Sequence, residues 1–367
     1  MRALARTVVA AIVVAATGFL AHPAHAQTER PAAFWKAVQT MCDASAAKPA
    51  NELGKRIAQI AIEEFSRFGG HRIDADGRLF RFGLTEAEHE AEDDGKRPAR
   101  LDHLGWWQVM KYWRALFGDE FADKLEVRGY RDASTATQDA QEAALLRSSA
   151  GALLRAIENV SDTEAREILR EAAERAAAVD TPWSAAFVSY VVKQAGVEPK
   201  AFRFANAHRA YIYEAFATSM AEIGNTAGDS IYRACPLATR PHIGDLICQH
   251  REPALADAGD GAVRERIRQE LADGSSARSV RRTHCEVVVH VDAGARKVYT
   301  VGGNVNQAVS ARKLILRGDL RISPLQRGKC SAGTWTLPLP SAAAPAAGRS
   351  ENCSLNDKKW FVLLQLR

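Results

Sequence analysis

The chain has 367 residues, of which 47% are hydrophobic and 25% are charged, and its formal net charge is +5. These values are typical of a folded globular protein and exclude collagen-like, low-complexity and wholly disordered chains. The net charge is too small to favour nucleic-acid binding, which needs a clustered basic face. The length suggests two domains, or one domain with additions.

Residues 1–26 have the three-part pattern of a secretory signal peptide. Two arginines are followed by an apolar run over Thr7–Ala21, and Ala24–Ala26 is a small-residue cleavage site. The run has 15 residues, fewer than the roughly 18–20 that span a bilayer. We expect cleavage after Ala26 and a mature chain of 341 residues with charge +3, periplasmic or secreted, without stable membrane insertion. There the six cysteines can form disulfides.

Residues 27–150 are predicted to form an N-terminal helical region. Apolar residues recur every three or four positions over 31–70, and residues 131–180 are rich in alanine and predicted to be helical. A short hairpin is expected at 71–82. No concentration of groups able to do chemistry is found here, so we interpret the region as a scaffold.

Residues 151–367 show a different pattern and are predicted to form a second domain. Helices are expected at about 182–195 and 203–220, and strands at about 243–248, 285–292, 297–302, 312–316 and 359–366. Residues 251–283 are a charged, arginine-rich insertion, which we interpret as a solvated helix and loop; the alternative is a basic flap over an anionic substrate. The sequence therefore predicts an α+β fold with an antiparallel sheet.

Ser184 is a candidate nucleophile because it lies in the first turn of a predicted helix. Asp180 or Thr181 can cap that helix, and Pro182 suits its first position. The N–H groups and the dipole of a first turn favour developing negative charge, so a nucleophile there gains an oxyanion site. Taken alone, a small polar residue at this position is more often structural.

Two strand ends supply partners for Ser184. His284 begins one predicted strand after an irregular stretch, which places it at a sheet edge, and Asn304 follows the end of the next strand. An asparagine beside a histidine can hold the imidazole in one tautomer while the imidazole acts as a base. The order of these three residues therefore predicts a catalytic site.

The segments around these residues resemble those of papain-like cell-wall enzymes. Thr181–Tyr190 is similar to the nucleophile helix of the cysteine, histidine-dependent amidohydrolase/peptidase (CHAP) group and of the NlpC-type peptidases. Gly244–Ile247 is similar to their Gly-Asp turn into the first sheet strand. His284 falls on their catalytic histidine, and Val301–Asn304 resembles the strand end that carries their third, polar residue.

A second resemblance is to an uncharacterised bacterial family, domain of unknown function 2272, over about residues 150–325. It rests on four motifs: Arg233–Pro236, Gly244–Cys248, His284-Cys285 and Val301–Asn306.

These resemblances imply a papain-like fold and a cell-wall amidase or peptidase acting on peptidoglycan, with Ser184 as nucleophile, His284 as base and Asn304 as orienting residue. The active families have cysteine where this chain has Ser184. A serine hydroxyl is not ionised by a helix terminus and needs concerted proton removal by a base. The alternative function is therefore an inactive papain-like module that binds a wall peptide or a periplasmic partner. A third possibility is a secreted effector.

Three further residues are candidate substrate contacts: Trp183, His208 and Asp245. His208 lies on the helix after the one that begins near Ser184. It either bonds a carbonyl or a water as a structural histidine, or it contacts substrate beside Ser184. No metal-binding or nucleotide-binding motif is present, so neither a metal nor a cofactor is expected. The oligomeric state is left open.

The six cysteines allow 15 complete pairings. We favour Cys330–Cys353, which would tie the terminal strand back across its loop, and Cys248–Cys285 on neighbouring strands. Cys42–Cys235 is the pair that remains. Cys285 is excluded as a catalytic partner of His284, because successive side chains of a strand point to opposite faces.

Overall fold

The structure is a computed structural model that describes residues 31–87, 104–128, 147–323, 326 and 354–367. Within these residues, eight α-helices and ten strands form an α+β protein. The signal-peptide prediction over 1–26 and the Cys330–Cys353 pair lie outside the described residues.

The helices are α1 (Pro31–Ala46), α2 (Glu52–Arg67), α3 (Gly105–Phe117), α4 (Ala150–Ile157), α5 (Thr163–Asp180), α6 (Ser184–Gln194), α7 (Arg209–Ile223) and α8 (Asp260–Ala272). Two short 3-10 helices span Gly118–Lys124 and Pro253–Leu255. The strands are β1 (His71–Ile73), β2 (Leu79–Arg81), β3 (Glu126–Arg128), β4 (Arg147–Ser149), β5 (Tyr232–Cys235), β6 (Leu246–His250), β7 (Thr283–Asp292), β8 (Lys297–Val305), β9 (Ala308–Ile315) and β10 (Lys359–Leu366).

An eight-stranded sheet forms the centre of the protein, in the order β2-β1-β9-β8-β7-β6-β10-β5. The predicted terminal strand is confirmed as β10, which lies between β6 and β5 and is antiparallel to both. The expectation of a purely antiparallel sheet is wrong at one junction, because β1 runs parallel to β9. The sheet is therefore mixed. A separate two-stranded sheet pairs β3 with β4.

The N-terminal region contributes strands as well as helices. Its predicted hairpin forms β1 and β2, and β1 extends the central sheet at β9. One hydrophobic core includes Ile57 and Trp113 from this region together with Phe187 and Val287 from the rest of the chain. The predicted division into two domains at residue 150 therefore stays a prediction. The hydrophobic core continues across this point of the chain.

The arginine-rich insertion packs against the sheet through α8. Val263 and Ile267, four residues apart on one helix face, are fully buried, and the Arg264 guanidinium donates to the Phe361 carbonyl on β10 at 2.7 Å. The charged residues of α8 largely pair within the helix, as in the Arg268–Glu265 contact at 2.6 Å. The interpretation of this segment as a solvated helix is therefore wrong for its inner face. The many charged residues of the segment made the few buried apolar residues difficult to recognise in the sequence.

The favoured Cys248–Cys285 disulfide is present, and so is the remaining pair, Cys42–Cys235. Cys42–Cys235 joins α1 to β5, and Cys248–Cys285 links directly paired residues of β6 and β7. Disulfides of this kind persist in oxidising compartments. Among the described residues, no helix is long and apolar enough to cross a membrane.

Candidate functional site

Ser184 is the first residue of α6, as the sequence indicated, and only 8% of it is exposed. The predicted caps of this helix serve another element. Thr181 Oγ1 accepts a hydrogen bond from the backbone of Glu126, and an Asp180 carboxylate oxygen accepts one from the backbone of Arg128, so both residues hold β3. No side chain caps α6. The first backbone N–H groups of the helix, which lie beside Ser184, therefore have no side-chain acceptor at this end.

The imidazole that contacts Ser184 belongs to His208. Ser184 Oγ lies 2.7 Å from His208 Nε2, and His208 is the residue immediately before α7. The ring of His284 stands beyond it, with 5.1 Å between the two ring centroids. Sequence reasoning assigned the base role to His284, whereas the structure brings His208, a candidate substrate contact, to the serine.

The second ring nitrogen of His208 is a hydrogen-bond acceptor. The backbone N–H of Cys285 donates to Nδ1 at 3.2 Å, and the hydroxyl of Tyr211 also contacts Nδ1. Burial, followed by the neighbouring His284 and Arg251, lowers the pKa of His208 well below its ordinary value, so the ring is neutral with a single proton. Because Nδ1 accepts the Cys285 N–H, that proton is on Nε2. His208 therefore donates its hydrogen bond to Ser184 Oγ.

His284 shares one face of β7 with Glu286, since the two residues are two positions apart on the strand. His284 Nε2 lies 3.4 Å from Glu286 Oε1, and neither ring nitrogen makes a hydrogen bond of normal geometry within the described part of the chain. Arg312 Nε donates to the same Glu286 oxygen at 2.9 Å. Burial by itself raises the pKa of Glu286, but Arg312 and His284 lower it to about 2, so the carboxylate is ionised.

His284 and Asn304 line one small cavity of about 130 Å³. Asn304 is partly exposed and has a left-handed backbone with φ of 52°, a conformation that asparagine adopts more readily than most residues. The other lining residues are Gln249, Arg251, Val305, Asn306, Arg312 and Lys358. The structure thus brings the two strand-end residues together, and Ser184 is not among the residues that line this cavity.

Trp183 and Asp245, the remaining candidate contacts, do not line the cavity either. Trp183 is fully buried and stacks on Phe68 with 5.8 Å between ring centroids. Asp245 is also fully buried and accepts hydrogen bonds from the backbone N–H groups of His242 and Leu366 at 2.8 and 2.9 Å. Because both side chains are buried among protein groups, they support the fold here and do not support contact with a ligand.

Glu86 provides a pH-dependent contact beneath the start of α6. Its carboxylate accepts a hydrogen bond from Trp183 Nε1 at 2.8 Å, yet burial raises the pKa of Glu86 to about 7. Above pH 4.5 the unfolded chain releases this proton while the folded protein retains it. We therefore expect the free energy of unfolding to fall by on the order of 1–3 kcal/mol between about pH 4.5 and 7.

Urea titrations of the wild type and of Glu86→Gln across this pH range test the expectation. The variant keeps an oxygen that can accept from Trp183 and cannot ionise, so its profile should be flatter. Equal slopes for the two proteins would show that Glu86 does not cause the pH dependence.

Several residues of the site were not predicted from the sequence. Glu286 could have been predicted from its position, because residues two positions apart on a strand lie on the same face of the sheet, so Glu286 must lie on the same face as His284. No local pattern could have predicted that Arg251 and Lys358 lie together, since they come from segments far apart in the chain and meet only where β6 and β10 pair. In the described ranges, no group of three or more His, Cys, Asp or Glu side chains could hold a metal ion.

The fold and the site together define an α+β protein with a buried serine–histidine pair at a helix start and a cavity lined by cationic side chains. A family model described as "Uncharacterized protein conserved in bacteria (DUF2272)" matches residues 101–366. This match covers most of the chain, so the chain belongs to that family. It also includes α3, which lies in the N-terminal region. Comparisons with curated proteins and with solved structures found no match.

Proposed function

We propose that this protein is an exported, papain-like protein that binds the peptides of peptidoglycan without cleaving them. The observation that carries the proposal is the hydrogen bond from the backbone N–H of Cys285 to His208 Nδ1, because it places the ring proton on Nε2, against Ser184. A catalytic serine must give its proton to a base, whereas here the imidazole donates to the hydroxyl.

The surroundings of His208 oppose the opposite tautomer. Moving the ring proton to Nδ1 would bring it against the backbone N–H of Cys285. A backbone N–H can only donate a hydrogen bond, so two hydrogens would then face each other. The same change would remove the acceptor that Tyr211 contacts. Since Ser184 and His208 are 8% and 4% exposed, water offers little replacement for these bonds. The pair is therefore a structural contact in the state that the structure describes.

The papain-like assignment is supported by the order and packing of the elements. The helix that begins at Ser184 lies directly on β8, where Gly303 has no side chain and a Cβ would come within 2.5 Å of Phe187 Cβ. His284 on β7 and Asn304 on β8 follow in the order of the papain-like families. Two disulfides and the signal-peptide pattern support export.

A serine amidase or peptidase is the second candidate function. The observation in its favour is the 2.7 Å contact between a helix-start serine and an imidazole, a distance suited to proton transfer. In that function His208 would be the base after a change of tautomer, in place of His284. Asn304 and His284 would then face the substrate from the cavity.

Incubation of the purified protein with peptidoglycan sacculi distinguishes the two functions. Co-sedimentation measures binding, and the appearance of new amines or soluble muropeptides measures cleavage. We expect binding without release, and binding that survives Ser184→Ala and His208→Gln, provided that thermal unfolding shows both variants to be folded.

Ser189→Ala is the matched control, because Ser189 is a buried serine on the same helix whose Oγ donates to the Ala205 carbonyl at 2.8 Å. Release that Ser184→Ala abolishes and Ser189→Ala retains would establish the enzyme and overturn the proposal. Absence of both binding and release would overturn both candidate functions.

A further inference from the structure

We propose that the cavity lined by His284 and Asn304 binds the terminal carboxylate of a short peptide. The inference rests on the proposed function, because it names the chemical group by which the protein would recognise a wall peptide. It assigns roles to Arg251 and Lys358, whose side chains make no ion pair and no side-chain hydrogen bond among the described residues.

The charge balance of the cavity favours an anion. Arg312 lines the cavity and is neutralised by Glu286, which it contacts at 2.9 Å. Arg251 and Lys358 also line the cavity and have no ion-pair partner at contact distance within the described residues. Burial and Arg312 lower the pKa of Lys358, whereas Glu286 and then Asp357 raise it to a smaller extent. Two cations are therefore available to a ligand.

Polar groups around the cavity that have no partner among the described residues also favour a bound ligand. His284 is 2% exposed, and its Nδ1 has neither a hydrogen bond nor a nearby carboxylate in the described part of the chain. Buried polar atoms in folded proteins almost always have a partner. The side-chain amides of Gln249, Asn304 and Asn306 surround the same space and make no side-chain hydrogen bond among the residues described. A ligand that enters would satisfy these groups.

The size of the cavity restricts what can enter. At about 130 Å³ it is smaller than the roughly 300–1,000 Å³ of sites that enclose a whole small molecule. It is closed on one side by the buried residues His284 and Gln249, and its rim carries the exposed residues Arg251 and Asn306. Only the end of a ligand fits such a site, while the rest lies outside.

The donors select a peptide carboxylate among possible anions. A planar carboxylate accepts two parallel hydrogen bonds from a guanidinium, and Arg251 can supply them at the rim. The amide side chains of Gln249 and Asn304 each offer a donor and an acceptor, which match the adjoining peptide group. An inorganic anion would accept hydrogen bonds from the cations and from the amide N–H groups, but it offers no peptide N–H to the amide acceptors.

Isothermal titration with the dipeptide Ala-Ala, as its L and D stereoisomers, its C-terminal amide and inorganic phosphate tests the proposal. We expect one or both acid stereoisomers to bind, and the corresponding amide to bind at least tenfold more weakly. Arg251→Gln and Lys358→Gln should each weaken acid binding about tenfold or more. The matched controls are Arg282→Gln and Lys359→Gln, which remove the same charge from exposed residues outside the cavity and should leave affinity unchanged.

The outcomes separate the carboxylate site from the proposed function. Equal binding of acid and amide, or equal weakening by the controls, would overturn the carboxylate site while sacculus binding would still support the function. Phosphate binding as tight as that of the acid would show a general anion site and overturn the peptide assignment. If neither sacculi nor dipeptide bind, both proposals are wrong. Should Arg251→Gln fail to fold, Lys358→Gln decides the matter, because the Lys358 side chain is partly exposed and lies just before β10.

Discussion

Replacing Arg312 with methionine should lower the free energy of unfolding by about 3–5 kcal/mol at neutral pH. Arg312 and Glu286 are 3% and 0% exposed in their side chains, and the guanidinium contacts both carboxylate oxygens at 2.9 and 3.2 Å. Removing the arginine leaves the buried carboxylate of Glu286 without its cationic partner. The cost of that uncompensated charge exceeds the net value of the pair itself.

In Arg312→Met, the contribution of Glu286 to stability should depend on pH in the direction opposite to that in the wild type. In the wild type the pKa of Glu286 is about 2, below its ordinary 4.5, so its contribution is complete above pH 4.5 and is lost as the pH falls toward 2. Without Arg312, burial dominates and raises that pKa. The variant should therefore become less stable as the pH rises above 4.5 and recover in mild acid.

Denaturant unfolding at pH 5 and pH 8 measures both effects. The control is the double variant Glu286→Gln/Arg312→Met, in which no buried charge remains, and it should be more stable than Arg312→Met alone at pH 8. A single variant as unstable as the double one at both pH values would show that lost packing, and not the unpaired carboxylate, causes the effect.

Removing the Cys42–Cys235 disulfide should cost about 4–5 kcal/mol of unfolding free energy. The bond joins residues 193 positions apart, and a cross-link over so long a loop removes much conformational freedom from the unfolded chain. The Cys248–Cys285 bond closes a loop of only 37 positions. On the same argument its removal should cost about 1.5 kcal/mol less.

Double alanine variants of each pair, compared by denaturant unfolding, test this difference. Both replacements remove two buried sulfur atoms, and all four cysteines are fully buried, so the packing losses should be similar. The Cys248–Cys285 variant is the matched control, since β6 and β7 stay paired through their backbone. A larger loss for the shorter loop would contradict the explanation by loop length.

Much of the fold could be predicted from local patterns. The strand over 359–366 and the hairpin at 71–82 could be predicted because a continuous apolar run and a pair of turn residues are signals that extend over only a few positions. The inner face of α8 was missed, because Val263 and Ile267 are a narrow apolar stripe within a run of charges. The parallel β1–β9 junction carried no local signal, since the two strands lie far apart in the chain.

The candidate site shows the same division. That Ser184 starts a helix, and that His284 and Asn304 lie near strand ends, follows from residue type and periodicity. Which imidazole meets the serine does not, because it depends on the approach of α7 to α6. The tautomer of His208 depends further on the backbone N–H of Cys285, 77 positions away.

The sequence by itself determined most of the helices and strands and the position of Ser184 in a first turn, and it favoured the pairing of Cys248 with Cys285 as strand neighbours. These properties depend on spacing along the chain, where the geometry of a helix or a strand is known in advance. Only the tertiary structure decided that Ser184 meets His208, that Arg251 and Lys358 converge on one cavity, and that Arg312 neutralises Glu286. Each of these contacts joins separate elements, so it exists only after the sheet and its helices have packed.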